Sequence, residues 1–282
     1  MIKTICVCGA GTMGAGIAQV VAQAQFQTIL FDVNGAMLEK AKTQIETNLD
    51  FLINKGRLDA TQKSIVLSNI QFTDSLQACK ADLMIEAIIE KLEIKVKLFE
   101  ELIKINSNQT IYASNTSSLS IDEIQNSISA KERFIGMHFF NPPTIMKLVE
   151  VVIGSGTAGI VENSILELCK IINKTAVVCK DAPGFIVNRV ARHYYLESMK
   201  IAMQKGSSIE EIDSILEASG FKLGPFKLMD LIGMDINLSV SQQLYAASGN
   251  EPRFKPSEMQ IGLVEAGKLG RKSGEGFYKY QK

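Results

Sequence analysis

MIKTICVCGAGTMGAGIAQVVAQAQFQTILFD, residues 1–32, decides the fold. Ile2 to Val7 reads as an apolar strand, followed by the glycine turn Gly9-Ala10-Gly11-Thr12-Met13-Gly14. A helix comes next, and a second strand ends in Asp32. Each glycine has its own task in such a turn. Gly9 lets the chain leave the strand sharply, Gly11 removes the side chain that would block a pyrophosphate, and Gly14 lets the helix lie close to the sheet. The helix opening at Thr12 and Met13 presents free N–H groups to phosphate. Asp32 stands where a carboxylate accepts hydrogen bonds from an adenosine ribose. Gly9, Gly11, Thr12, Met13, Gly14 and Asp32 therefore predict a bound dinucleotide, NAD, and no arginine follows Asp32 in Val33-Asn34-Gly35 to receive a 2′-phosphate.

The rest of the first part alternates in the same way. Helical spacing runs from Ala36 to Lys55 and again from Ala60 to Leu67, before strand candidates at 69–72 and 82–86. An amphipathic helix over 91–105 separates these from strands at 110–113, 134–138 and 148–152. A helix over 157–172 and a last strand over 176–179 complete the series. The order predicts an α/β class: a Rossmann-type doubly wound sheet with a helical excursion between its second and third strands. At Asp181-Ala182-Pro183-Gly184 the pattern changes, and only helical stretches follow: 186–204, 209–218, 234–247 and 258–266. The proline–glycine junction marks a boundary between a dinucleotide-binding domain, 1–183, and an all-α domain, 184–282, for substrate binding and dimerisation.

Bulk composition narrows the function. Thirty basic residues balance thirty acidic ones in 282, so no net charge recruits nucleic acid or an anionic membrane. No apolar run approaches the roughly 18 residues that span a bilayer. The chain enters its first strand at once, leaving no room for a targeting peptide, and a cytoplasmic location is expected. The five cysteines (Cys6, Cys8, Cys79, Cys169 and Cys179) form no C-x-x-C pair, so reduced thiols and no metal site are expected.

A second set of residues gathers at predicted strand ends. Ser114-Asn115-Thr116-Ser117-Ser118 follows one strand, on the edge where this topology binds ligands. Taken alone it reads equally as a helix N-cap cluster. His138 ends the next strand, and Glu150 lies on the one after. A short turn through Asn141-Pro142-Pro143 brings the carboxylate back beside the imidazole, where it would orient the ring. Asn188 opens the helical part just after Pro183-Gly184. A hydroxyl, a base, an acid partner and an amide are what alcohol oxidation requires.

The chain resembles the 3-hydroxyacyl-CoA dehydrogenase family, of the 3-hydroxybutyryl-CoA type, over essentially its full length. The segments that carry the likeness are GAGTMGAGIAQ (9–19), IEAIIEKLEIK (85–95), ASNTSSLSI (113–121), GMHFFNPPTIMKLVEVV (136–152), DAPGFIVNR (181–189), LGPFKLMDLIGMD (223–235) and GRKSGEGFYKY (270–280). The resemblance implies that His138 is the catalytic base and Glu150 its partner. Ser117 and Asn188 would hydrogen-bond the substrate oxygen and the base. It places Glu90, Lys95, Asn115, Asn141 and Lys272 near the dinucleotide, and Asn48 and Lys55 at coenzyme A. Lys55 and Arg57 carry the charge a CoA phosphate attracts, although a solvated helix end explains them as well. It further implies an acyl-CoA substrate and a homodimer joined through residues after about 185, in keeping with apolar runs such as 226–232.

Some segments depart from the butyrate-type pattern. Arg192-His193-Tyr194-Tyr195 replaces a more apolar run, Gly220-Phe221-Lys222-Leu223 precedes Gly224-Pro225, and Lys227 stands where an acid is common. These leave the acyl chain open, with a 3-hydroxyadipyl-CoA dehydrogenase of phenylacetate catabolism as an alternative. A same-fold sugar-acid dehydrogenase and a non-catalytic dinucleotide-binding protein are the other readings. The first is disfavoured by the run through Lys55, the second by the intact Ser117, His138, Glu150 and Asn188.

Overall fold

The computed structural model describes residues 2–204 and 206–281. The chain divides into two compact units, Met1–Ala182 and Pro183–Lys282, one residue from the predicted boundary. In the first unit, β1 (Thr4–Cys8), α1 (Thr12–Gln23) and β2 (Gln27–Phe31) form the opening βαβ element. The excursion is the long helix α2 (Gly35–Asn54) and α3 (Ala60–Ser68), leading to β3 (Ile70–Thr73). Asp59 and Gln62 close a capping box at the start of α3. There follow β4 (Leu83–Glu86), α4 (Leu92–Ile105), β5 (Ile111–Ser114) and the short α5 (Ile121–Asn126). The unit ends with β6 (Phe134–Phe139), β7 (Leu148–Ile153), α6 (Gly159–Ile171) and β8 (Thr175–Lys180). These limits lie within about two residues of the sequence reading, the normal uncertainty of element ends.

All eight strands join one sheet in the order β3-β2-β1-β4-β5-β6-β7-β8. Every pairing is parallel except that of β6 with β7. Because β1, β4, β5 and β6 are buried along almost their whole length, they read as continuous apolar runs rather than alternating ones. Parallel strands all end on one edge, and that edge is where Gly9, Glu86, Asn115 and the end of β6 meet.

The second unit contains α7 (Val187–Met203), α8 (Ile209–Ala218), α9 (Pro225–Ile232), α10 (Met234–Ala247) and α11 (Glu258–Glu265). Helix α9 is the element that periodicity does not reveal. Its eight residues are too few to form a helix unaided. Asp213, buried on α8, caps it from outside by accepting from Phe226 N (2.9 Å) and Lys227 N (3.1 Å). A second buried carboxylate, Asp230 on α9, gathers the C-terminal segment. It accepts from Phe277 N, Tyr278 N and the Tyr280 hydroxyl, each at 2.9 Å. A Cβ on Gly276 would lie 2.1 Å from Asp230 Oδ1, so the closing segment lies on α9 only through glycine. The Gly-Arg-Lys-Ser-Gly-Glu-Gly-Phe run is thus the counterpart of one carboxylate.

Replacing Asp230 by Ala strands three donors in a buried setting, at a cost on the order of 3–5 kcal/mol. Chemical denaturation followed by tyrosine fluorescence checks it, and a change below about 1 kcal/mol would show that solvent serves these donors equally well.

Candidate active site

The glycine turn supplies its own test for a ligand. Gly9 has φ +107°, and a Cβ there would stand 2.6 Å from Ala87 O. A Cβ on Gly14 would fall 1.7 Å from Gly9 O. The protein itself therefore demands both residues. Gly11 is different: its φ is −69°, and an added Cβ would meet nothing within 4 Å. Neither strain nor crowding explains the third glycine, whereas a phosphate group brought against the backbone does. Helix α1 begins at this residue with no side chain capping it, so its first N–H groups are turned toward the same space. Thr12 is exposed and Met13 half-buried.

Asp32, just past β2, accepts from Ala10 N at 2.7 Å and Asn34 N at 2.9 Å. One bond to each oxygen fixes the carboxylate and leaves further lone pairs for a diol. The residues present thus fit a dinucleotide: backbone donors and open space for the diphosphate, and a fixed acceptor for the ribose.

The reversed strand sets an imidazole against a carboxylate. In the antiparallel β6–β7 ladder His138 stands directly opposite Glu150, and His138 Nδ1 lies 2.7 Å from Glu150 Oε2. Both are buried. A carboxylate only accepts, so Nδ1 carries the hydrogen and Nε2 is the ring's basic nitrogen. The Phe140 ring covers the imidazole with centroids 4.6 Å apart. Asn115 bridges the two neighbouring strand ends: its N–H donates to Glu86 O, and its Oδ1 accepts from Phe139 N at 2.8 Å.

Glu90 and Lys95 are joined to Ser117 by a network that sequence reasoning sees only in part. Glu90 Oε1 accepts from the Thr116 hydroxyl, Ser117 N (3.0 Å), Ser118 N (3.2 Å) and the Ser118 hydroxyl (2.9 Å). Lys95 Nζ lies 3.0 Å from Glu90 Oε2 and 2.5 Å from Glu86 Oε1. Burial opposes ionisation of Glu90, but the Lys95 ammonium and the two hydroxyls outweigh it and hold the carboxyl below its usual range. At Glu86 burial dominates and pushes the carboxyl up, while Lys95, the Ser114 hydroxyl and Ile88 N–H pull it back. Glu86 is the member of this network that sequence reasoning misses. Two signals point to it: a carboxylate closing an apolar strand, and a lysine on the core stripe of α4 with Phe99 and Leu102.

The remaining candidates are more dispersed. Asn48 on α2 donates to Gln19 Oε1 on α1 at 3.1 Å, and Lys55 is exposed at the C-terminal end of α2. Asn141 is exposed at the tip of the β6–β7 turn. In the second unit, Asn188 is half-buried in the first turn of α7, and Lys272 is exposed with Nζ 2.5 Å from Asp235 Oδ1.

Comparison with known proteins matches residues 4–182 to the family model for the 3-hydroxyacyl-CoA dehydrogenase NAD binding domain. Residues 184–280 match the C-terminal domain of the same family. The chain belongs to the 3-hydroxyacyl-CoA dehydrogenase family. NAD is the cofactor of these oxidoreductases, which act on a CH–OH group. A 3-hydroxyadipyl-CoA dehydrogenase of Escherichia coli K12 is 43% identical over 99% of this chain, which spans only 59% of that relative's length. A probable 3-hydroxybutyryl-CoA dehydrogenase of Deinococcus radiodurans is 40% identical over 97% of the chain and 99% of its own length. The crystal structure of an (S)-3-hydroxybutyryl-CoA dehydrogenase from Ralstonia eutropha superposes with a TM-score of 0.95 at 36% identity, covering both chains completely.

Two substitutions test the glycine argument. Gly11→Ala is expected to change stability by less than about 1 kcal/mol while weakening NADH binding on the order of tenfold or more. Gly14→Ala should fail to fold. Unchanged NADH affinity in Gly11→Ala, read by fluorescence titration, would remove the phosphate from this site. Asp32→Ala is expected to narrow the preference for NADH over NADPH, measured as the ratio of kcat/KM values; a ratio equal to wild type would mean that Asp32 does not touch the ribose.

Proposed function

We propose that the protein reversibly oxidises an (S)-3-hydroxyacyl-CoA to the 3-ketoacyl-CoA, with 3-hydroxybutyryl-CoA and acetoacetyl-CoA as the substrate pair, in fatty acid and butanoate metabolism. The observation that carries this reading is the buried His138–Glu150 pair at 2.7 Å on the ligand edge of a dinucleotide-binding sheet. Bound NAD supplies the hydride acceptor for the alcohol carbon. In oxidation His138 Nε2 takes the hydroxyl proton, and in reduction it returns a proton to the developing alkoxide. Glu150 stabilises the imidazolium through Nδ1 and keeps the ring from rotating. Ser117 and Asn188 orient the substrate oxygen, while Asn48 and Lys55 receive coenzyme A. Gly9, Gly11, Thr12, Met13, Gly14 and Asp32 hold the adenosine diphosphate part of the dinucleotide. Glu90, Lys95, Asn115, Asn141 and Lys272 lie near the dinucleotide.

The protein is further read as a cytoplasmic homodimer. The half-exposed Leu231, Ile232 and Ile236, on α9 and α10, offer apolar surface of the kind a second copy covers. No described helix is long and apolar enough to cross a membrane. A second reading, 3-hydroxyadipyl-CoA as substrate, is favoured by the name of the 43% identical Escherichia coli relative and by the run PFKLMDLIGMD (225–235), which resembles that of relatives in phenylacetate catabolism.

His138→Ala is expected to lose about 10²–10⁴-fold in kcat with NADH affinity held, because the base meets the reacting hydroxyl and not the adenosine. Glu150→Gln should slow both directions. Steady-state rates with 3-ketoacyl-CoA substrates of four to sixteen carbons, and with 3-ketoadipyl-CoA, decide the acyl group. The highest kcat/KM on acetoacetyl-CoA supports the first reading, the highest on the dicarboxylic substrate the second, and turnover of free acids alone would overturn both.

A further inference from the structure

The charges of Glu86 and Lys95 are wholly enclosed, with side-chain exposures of 0% and 1%. A buried ion pair is weak evidence of stability, since well-packed apolar residues of similar volume often serve a fold as well or better. What the pair orients is therefore the better guide to its purpose. Lys95 Nζ is shared: 2.5 Å from Glu86 Oε1 and 3.0 Å from Glu90 Oε2. Glu86 anchors the ammonium from beneath, and its own carboxylate is fixed by Ile88 N at 2.7 Å and the Ser114 hydroxyl at 2.6 Å. Glu90, above, is partly open and carries the whole turn from Thr116 to Ser118 on one carboxylate oxygen. Ser114 Oγ also accepts from Thr116 N at 3.2 Å, so the turn is held from below through Glu86 as well.

We infer that Glu86 and Lys95 are positioning residues, which set Glu90 and the Ser117 turn in place from inside the protein. Lys95 then acts on the dinucleotide side of the site through Glu90. The enclosed ammonium counters two carboxylates at once, and without it Glu86 and Glu90 would repel each other across one small space. The role of the turn rests on the proposed substrate contact of Ser117, whereas the internal geometry does not.

Three variants separate positioning from plain stability. Lys95→Met leaves Glu86 and Glu90 without their shared counter-charge and should lower the unfolding midpoint by about 10 °C, while Glu86→Gln leaves the ammonium with Glu90 and should lower it less. The double variant Glu86→Gln/Lys95→Met removes both charges of the pair, so its midpoint should return to within about 4 °C of wild type. Its kcat for acetoacetyl-CoA should nonetheless stay about 10- to 100-fold low, with the KM for the acyl-CoA little changed, because the turn has lost its anchor. NADH dissociation constants, read by fluorescence, should rise at least about fivefold in Lys95→Met and in the double variant.

Recovery of kcat and NADH affinity together with the midpoint would overturn the inference and leave the pair a structural one. Full activity in a folded Glu86→Gln would do the same. Should wild type itself fail to turn over acyl-CoA, the proposed reaction falls, and the NADH measurements still decide the positioning role.

Discussion

One reversal of direction organises this molecule. The eight strands of the sheet run in two parallel series, and only at the β6–β7 step does the chain turn straight back. A parallel crossover needs a helix or long loop between strands, so neighbouring parallel strands cannot be linked by a short turn. The antiparallel step can, and it sets His138 against Glu150 in register with an imidazole–carboxylate distance of 2.7 Å. Because the pair belongs to the sheet rather than to a loop, its orientation is fixed by the backbone ladder. Lys174 closes the far side of that turn by donating to Pro143 O (2.5 Å) and Met146 O (2.7 Å). Pro143 in turn lies against α1, where a Cβ on Gly16 would come within 2.9 Å of its ring. The reversing hairpin thus rests on the helix that begins at the dinucleotide turn.

The buried charges follow from the same edge. Parallel strands deliver Glu86, Ser114 and Asn115 to one line, and each contributes a polar group that burial would otherwise penalise. Their pairing converts that penalty into orientation. Glu90, held ionised by Lys95 and the hydroxyls despite burial, supports the Thr116–Ser118 turn, and Asn115 ties β5 to the residue after His138. In the helical unit the same device recurs with aspartates. Asp213 and Asp230 accept from backbone N–H groups and tyrosine hydroxyls, and so join α8, α9 and the closing segment.

The sequence makes legible whatever is fixed by local covalent constraint. Gly9, Gly11 and Gly14 announce the dinucleotide turn: the protein itself crowds a Cβ at Gly9 and Gly14, and Gly11 leaves open space for a phosphate. The excursion after Asp32 and the change at Pro183-Gly184 are visible as shifts of period and composition. His138 and Glu150 could be picked out as strand-end residues linked by a proline turn, since a hairpin brings nearby residues together. What stayed hidden depends on distant partners. Helix α9 exists because Asp213, twelve residues earlier, caps it, and no window of eight residues shows that. Glu86 looks like the last residue of a strand until α4 is seen to return Lys95 onto it. Lys272, which the resemblance puts near the dinucleotide, is set on Asp235 in the structure.

The central claim is that His138 Nε2 exchanges the proton of the substrate's C3 oxygen, and a crystal structure of the complex with NAD and acetoacetyl-CoA tests it most directly. The account predicts the ketone oxygen at hydrogen-bond distance, about 3 Å, from His138 Nε2, with Nδ1 still on Glu150. A ketone oxygen turned away from His138 and held by another donor would contradict it.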